Sequence, residues 1–324
     1  MKKTIANLFM ASITVAMLSL AACGSSGASS SSTSPTSSQT SDEKSTQAES
    51  SETETNSESA SAASEETTLG TQDVSFESFT PIDNDECSVT IKDIDPDNMW
   101  GYTVKVGLEN KSSDKTYMFS VNTASVNGVV ADPLFAKEVA PGKKANEDIS
   151  FNASDLKENG ITDFTDIEME FRVYDTNDWS ADDVAKEVFH IYPYGEDKAI
   201  TFERDSQASD EVLVDNDNVT VILTGKTEDP IWGYTLKLFI VNKTDTEIMV
   251  SADEASVNGY MADPFFAKSV PSGKCAFTSM SWSDSTLKEN DITTIEEIEF
   301  KLRVYDNNNW TGDDFFNEVI TVTP

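Results

Sequence analysis

Apolar and polar residues alternate along several stretches of the chain. Tyr102, Val104, Val106 and Leu108 alternate with Thr103, Lys105, Gly107 and Glu109. Ile167, Met169, Phe171 and Val173 do the same with Glu168, Glu170, Arg172 and Tyr174, as do Ile298, Phe300, Leu302 and Val304 with Glu299, Lys301, Arg303 and Tyr305. A period of two turns one face of a strand inward and leaves the other in water, as in an antiparallel sheet packed on one side. Asn127-Gly128 and Asn258-Gly259 signal hairpins, because both central residues of a type I′ turn need positive φ. Pro141-Gly142 and Ser272-Gly273 mark a further turn. In the first half of the folded region the pattern predicts strands near residues 88–93, 102–110, 116–126, 129–131, 135–139, 147–151, 167–175 and 187–192, with one helical turn over 154–159. Strand number and spacing fit an all-β fold of immunoglobulin-like antiparallel β-sandwich type.

The pattern occurs twice. Trp100-Gly101-Tyr102-Thr103 returns as Trp232-Gly233-Tyr234-Thr235, and Ala124-Ser125-Val126-Asn127-Gly128 as Ala255-Ser256-Val257-Asn258-Gly259. Leu156-Lys157-Glu158-Asn159 returns as Leu287-Lys288-Glu289-Asn290, and Arg172-Val173-Tyr174-Asp175 as Arg303-Val304-Tyr305-Asp306. The copies differ in length by a single residue, lost between Asn110 and Ala124. Roughly four aligned positions in ten are identical, and a period this long describes a whole domain, not a solenoid unit. The organisation read from the sequence is a leader over 1–22, a lipidated Cys23 with a disordered tether over 23–72, a first repeat over 73–193, a connection over 194–214 in which residues 199–202 add a strand, and a second repeat over 215–324.

Residues 1–22 carry Lys2 and Lys3, then an apolar run from Ile5 to Leu20, then small residues, the layout of a signal peptide. The tether that follows is Ser, Thr, Ala and Glu with almost no large apolar residue, too little to offset its conformational entropy by burial. Leu20-Ala21-Ala22-Cys23-Gly24 resembles a bacterial lipobox. With the tether and the tandem sandwich repeats, the whole chain resembles surface lipoproteins of Gram-positive, clostridia-type bacteria. The resemblance implies cleavage before Cys23, diacylglycerol on its sulfur and attachment to the outer face of the cell membrane. It supplies no catalytic residues.

Charge narrows the choice of partner. The chain holds 58 acidic against 23 basic residues, a formal net charge of −35, and both repeats are acidic. Binding to nucleic acid needs a positive surface that releases counterions, so that class is excluded. Three cysteines, Cys23, Cys87 and Cys275, leave one per repeat, which excludes an immunoglobulin-type bridge within either; two unpaired thiols are expected.

Candidate chemistry is sparse. No G-x-S-x-G, H-E-x-x-H, P-loop or dinucleotide fingerprint occurs, and the one histidine, His190, falls on a predicted strand. The loop after Arg-Val-Tyr-Asp gathers Asp175, Asn177, Asp182 and Asp183, matched by Asp306, Asn308, Asp313 and Asp314. Clustered carboxylate and amide oxygens are what Ca²⁺ takes as ligands, although Trp179 and Lys186 break the EF-hand spacing. The competing reading makes Ser180-x-x-Asp183 and Thr311-x-x-Asp314 capping boxes that open a helical turn. Trp100, Trp179, Trp232 and Trp310 stand beside Asp and Asn, a combination suited to stacking on a sugar; Trp282 replaces Phe151 and belongs to the core. The function expected is a membrane-anchored extracellular lipoprotein that binds a surface protein or displays itself, without catalysis or cofactor. The alternative is a carbohydrate-binding accessory module of a polysaccharide-handling system. A calcium-dependent adhesion module and a carboxylate-based hydrolase rank behind both.

Overall fold

The computed structural model describes residues 74–178, 180–229 and 231–324; the leader, Cys23, the Ser/Thr/Glu segment and Trp179 lie outside the described residues. The first repeat contributes strands β1 (Phe79–Asp83), β2 (Cys87–Asp95), β3 (Tyr102–Asn110), β4 (Tyr117–Val126), β5 (Val129–Val130), β6 (Ala136–Val139), β7 (Lys144–Phe151), β8 (Ile167–Asp175) and β9 (Ala185–Ile191), with the short helix α1 (Ala153–Glu158) after β7. The second repeats this order with β10 (Glu211–Asp215), β11 (Val219–Asp229), β12 (Gly233–Asn242), β13 (Ile248–Val257), β14 (Tyr260–Met261), β15 (Ala267–Val270), β16 (Cys275–Trp282), α2 (Asp284–Glu289), β17 (Ile298–Asp306) and β18 (Phe316–Val322). The protein is all-β.

Each repeat forms two sheets. One runs β1-β2-β3-β7, with β10-β11-β12-β16 as its counterpart; the other is built on β4-β8-β9 with β5 and β6, matched by β13-β17-β18 with β14 and β15. The registers coincide residue for residue: Cys87 pairs with Asn110 as Val219 pairs with Asn242, and Glu109 with Lys144 as Val241 with Cys275. The missing residue therefore comes from the connection between β12 and β13, one shorter than that between β3 and β4. Inward positions of the alternating strands make the core: Val104, Val106, Leu108, Ile149 and Phe151 from one sheet face Phe119, Ile167, Met169, Phe171 and Val173 from the other. Trp282 is fully buried in the second core and donates its indole N–H to the Ala262 carbonyl at 2.8 Å.

Asn127 and Gly128 have φ of 52° and 84°, Asn258 and Gly259 of 51° and 79°, as a type I′ turn requires. The asparagine side chain does more than tolerate the turn. Asn127 Oδ1 accepts the Thr165 and Asp166 N–H groups at 3.0 and 3.1 Å, tying the hairpin to the segment that enters β8. Asn258 does the same with Glu296 and Glu297.

The repeats join through a defined junction. The hairpin edge β5 lies parallel to β16 with Val129 opposite Cys275, and the Cys275 N–H donates to the Gly128 carbonyl at 3.0 Å, so two sheets merge across the repeats. Residues 199–202, expected as a strand, are a wedge instead. The Phe202 N–H bonds to the Asn127 carbonyl at 2.8 Å while its ring meets Phe239 and Phe277 edge-on at 6.5 and 5.9 Å. Lys274 pairs with Glu168 at 2.6 Å and Lys268 with Asp132 at 3.6 Å across the same boundary.

Candidate functional site

The carboxylate loops form first from their own backbone. Asp175 Oδ1 accepts the Asn177 N–H at 2.9 Å and Asp306 Oδ1 the Asn308 N–H at 2.8 Å, local turns of the kind Asp favours. Asp183 then receives Arg172 Nε at 2.7 Å, and Asp314 receives Arg303 Nε at 2.9 and 3.0 Å. Each guanidinium lies over a neighbouring ring, Arg172 at 4.4 Å from the Tyr174 centroid and Arg303 at 4.2 Å from that of Tyr305. The hydrogen bond from Arg303 holds the Asp314 carboxyl below its usual range. No helix follows either loop, so the capping-box reading gives way: the arginine takes the aspartate that a helix N-terminus would have taken. Asp182 and Asp313 stand exposed, apart from these clamps. The eight oxygen-bearing residues are thus divided between local turns, arginine clamps and solvent, and among the described residues no group of three or more His, Cys, Asp or Glu is placed to hold a metal ion. His190 faces Asp166 at 2.7 Å through Nδ1 and Glu168 at 3.3 Å through Nε2, and its ring stacks on Tyr192 with centroids 5.5 Å apart.

Trp100, Trp232 and Trp310 do not meet at one place. Trp100 and Trp232 occupy equivalent turns, between β2 and β3 and between β11 and β12. Asp229 Oδ1 shapes the second by accepting the Ile231 and Trp232 N–H groups at 2.8 and 2.9 Å, which lowers the Asp229 pKa; Asn98 accepts the Trp100 N–H at 3.0 Å. Trp310 belongs to the loop between β17 and β18, beside the start of β13, at the opposite end of the second repeat.

The two turns nevertheless present matching apolar tips. Trp100 is 74% exposed next to exposed Met99, and Trp232 is 54% exposed next to exposed Ile231. In the second repeat Trp232 stacks on Phe265, ring centroids 5.8 Å apart and planes 16° from parallel, and Phe265 itself is 76% exposed. Phe265 is held there by backbone bonds to Ser281 of β16 at 2.7 and 3.3 Å. Sequence reasoning found the tryptophans and missed Met99, Ile231 and Phe265. The available signal was an apolar pair placed in a turn flanked by aspartates, where a polar pair is the norm.

Beside the second tip opens a cleft of about 790 Å³ lined by Asp229, Tyr234, Asp284, Leu287, Lys288 and Ile295. Its counterpart in the first repeat is occupied by Phe164, which replaces Ile295 and stacks on Tyr102 at 4.3 Å. The arrangement as a whole can recognise a surface by apolar contact, with carboxylates at the margin.

No protein-family model matches the chain, and no curated protein does. Among solved structures, red sea bream transglutaminase aligns with 74% of this chain at 13% identity and a TM-score of 0.23. The alignment spans 31% of that protein, and a likeness of this size carries no inference about activity.

Proposed function

We propose that the chain is a lipid-anchored extracellular protein that binds a partner at the cell surface without catalysing a reaction, using the apolar turns at the ends of β2 and β11. The observation that carries this reading is the exposed Trp232–Phe265 stack with Ile231 beside it, echoed by Met99 and Trp100 in the first repeat. Trp is among the residue types that dominate binding energy, and the contacts around it serve to exclude water. The lipobox at Cys23 supports the anchorage. The test compares cells bearing the chain with cells bearing Cys23→Ala and Trp232→Ala forms. Cys23→Ala should move the protein from the membrane to the medium, and Trp232→Ala should leave it anchored while reducing partner capture. Capture undiminished in both Trp232→Ala and Trp100→Ala would sink the binding part of the proposal.

The second reading, a glycan-binding module, is favoured by the near-parallel stack of two exposed rings, a surface on which a sugar ring can lie. Tryptophan fluorescence titrated with wall and host polysaccharides separates the two: a saturable shift abolished by Trp232→Ala supports a glycan, and a flat response across the panel leaves the protein partner.

A further inference from the structure

The junction between the repeats shows what the β4–β5 hairpin of this fold does. In the first repeat its edge strand is seated on β16, its Gly128 carbonyl accepts a backbone N–H there, and Glu168 and Asp132 meet Lys274 and Lys268. The second repeat carries the same hairpin, and among the described residues no strand is seated against it. Its edge strand β14 pairs only with β13, and Tyr260 and Met261, standing where the first repeat has Val129 and Val130, are 56% and 66% exposed. Glu299 and Asp263, the counterparts of Glu168 and Asp132, make no ion pair among the described residues.

The receiving face also exists twice, with opposite character. In the second repeat it carries Ile222, Phe239, Val241 and Phe277, all packed against the core of the first repeat. The equivalent positions of the first repeat are Thr90, Gly107, Glu109 and Asn146. Lys92 lies directly over Gly107 and hydrogen-bonds Asn146, and Lys144 pairs with Glu109 at 3.0 Å. A sheet face covered with lysine, glutamate and asparagine side chains offers no contiguous apolar surface for another domain to bury. The first repeat therefore closes one end of the array, as a terminal capping repeat does, and the hairpin of the second leaves the other end open.

We infer that the β13–β14 hairpin, with Tyr260 and Met261 at its edge, is a docking surface for a further β-sandwich domain that presents an unpaired strand edge, an apolar outer face like that of β11, β12 and β16, and lysines to meet Glu299 and Asp263. It takes that domain in the head-to-tail manner already seen inside the chain, and it is separate from the tryptophan turns that serve the surface partner. A second wild-type copy is not the occupant, because among the described residues the equivalent face left free is the lysine-covered one.

The test builds such a face on the full chain. Thr90→Ile, Lys92→Thr, Gly107→Phe, Glu109→Val and Asn146→Phe together give the first repeat the apolar pattern of the second, and the product is mixed with wild-type chain in sedimentation velocity runs up to about 100 μM. Complexes with wild type, weakened about tenfold or more when the wild-type partner carries Met261→Asp, are the expected result. Monomers throughout, or complexes indifferent to Met261→Asp, would overturn the inference. Should the grafted chain not fold, the natural face is freed instead by Phe202→Ala with Glu168→Lys, which removes the wedge and sets a like charge against Lys274 while leaving the buried Val129 in place. That variant should associate with concentration in a manner suppressed by Met261→Asp, and its remaining monomeric counts equally against the proposal.

Discussion

At the scale of single residues, two asparagines and one aspartate decide more than their frequency suggests. Asn242 is buried, and its amide nitrogen donates to the Thr246 and Val270 carbonyls at 2.8 and 2.9 Å while its oxygen accepts the Thr244 N–H at 2.9 Å. Asn110 repeats the arrangement with Lys115, Val139 and Ser112. Alanine at either site strands buried backbone groups, so Asn242→Ala should cost about 1–3 kcal/mol in chemical denaturation, and Asn110→Ala a similar amount. Asp210 receives both Arg204 nitrogens at 2.7 Å, and those bonds hold its carboxyl down at about 2. A carboxyl depressed in the folded state stabilises it above the ordinary value of about 3.9 and loses that contribution as pH falls through the folded value. The difference in melting temperature between the wild-type and Arg204→Gln chains should accordingly be constant near neutrality and shrink below about pH 4 towards pH 2.

At the scale of elements, alternation located the strands of the first repeat to within a few residues, except the edge strand β1. β1 escaped because Pro81 interrupts Phe79-Thr80-Pro81-Ile82; proline is tolerated there because β1 is an edge strand with only β2 beside it. The helical turn over 154–159 appears as α1 at Ala153–Glu158, capped by Asn152, and as α2, capped by Ser283. The capping-box signal thus belonged to the wrong loop: the Asp after Trp310 is claimed by Arg303, an element away in space, and nothing in the local string announces that. The start of β12 gives a sharper test of an element's backbone. Gly233 has φ of 77°, and a Cβ there would lie 2.2 Å from the Trp282 carbonyl oxygen, whereas Gly273, at φ of 66°, has open space around it. Gly233→Ala should cost more than about 2 kcal/mol, and Gly273→Ala only the roughly 1 kcal/mol of the left-handed backbone, a contrast readable from paired thermal melts.

At the scale of the whole molecule, the two repeats share a core boundary. Phe239 and Cys275 of the second repeat are buried with the core of the first, and Phe202 fills the remaining space. Heat should therefore unfold the wild-type repeats in one calorimetric transition, and Phe202→Ala, losing about 1–3 kcal/mol of contact, should split it into two. Burial pushes the Cys275 thiol up to about 11, as it does Cys87 inside the first repeat. Native alkylation should spare both in the wild type; in Phe202→Ala the thiol of Cys275 should react first, with Cys87 still silent, as mass spectrometry of the labelled peptides would read.

By itself the sequence determined the all-β class, the duplication, the hairpins and the burial of Trp282, because strand periodicity and turn chemistry are local properties written in consecutive residues. A hint of the junction was present too: Leu238-Phe239-Ile240-Val241 breaks the alternation seen in the first repeat, and a strand apolar on both faces is a strand covered on both faces. What covered it, which aspartates the arginines would claim, and that Trp232 would lie flat on Phe265 while Trp310 stood at the far end were decided only by the tertiary structure. Those are contacts between residues tens of positions apart, and their energies depend on distances that no local pattern encodes.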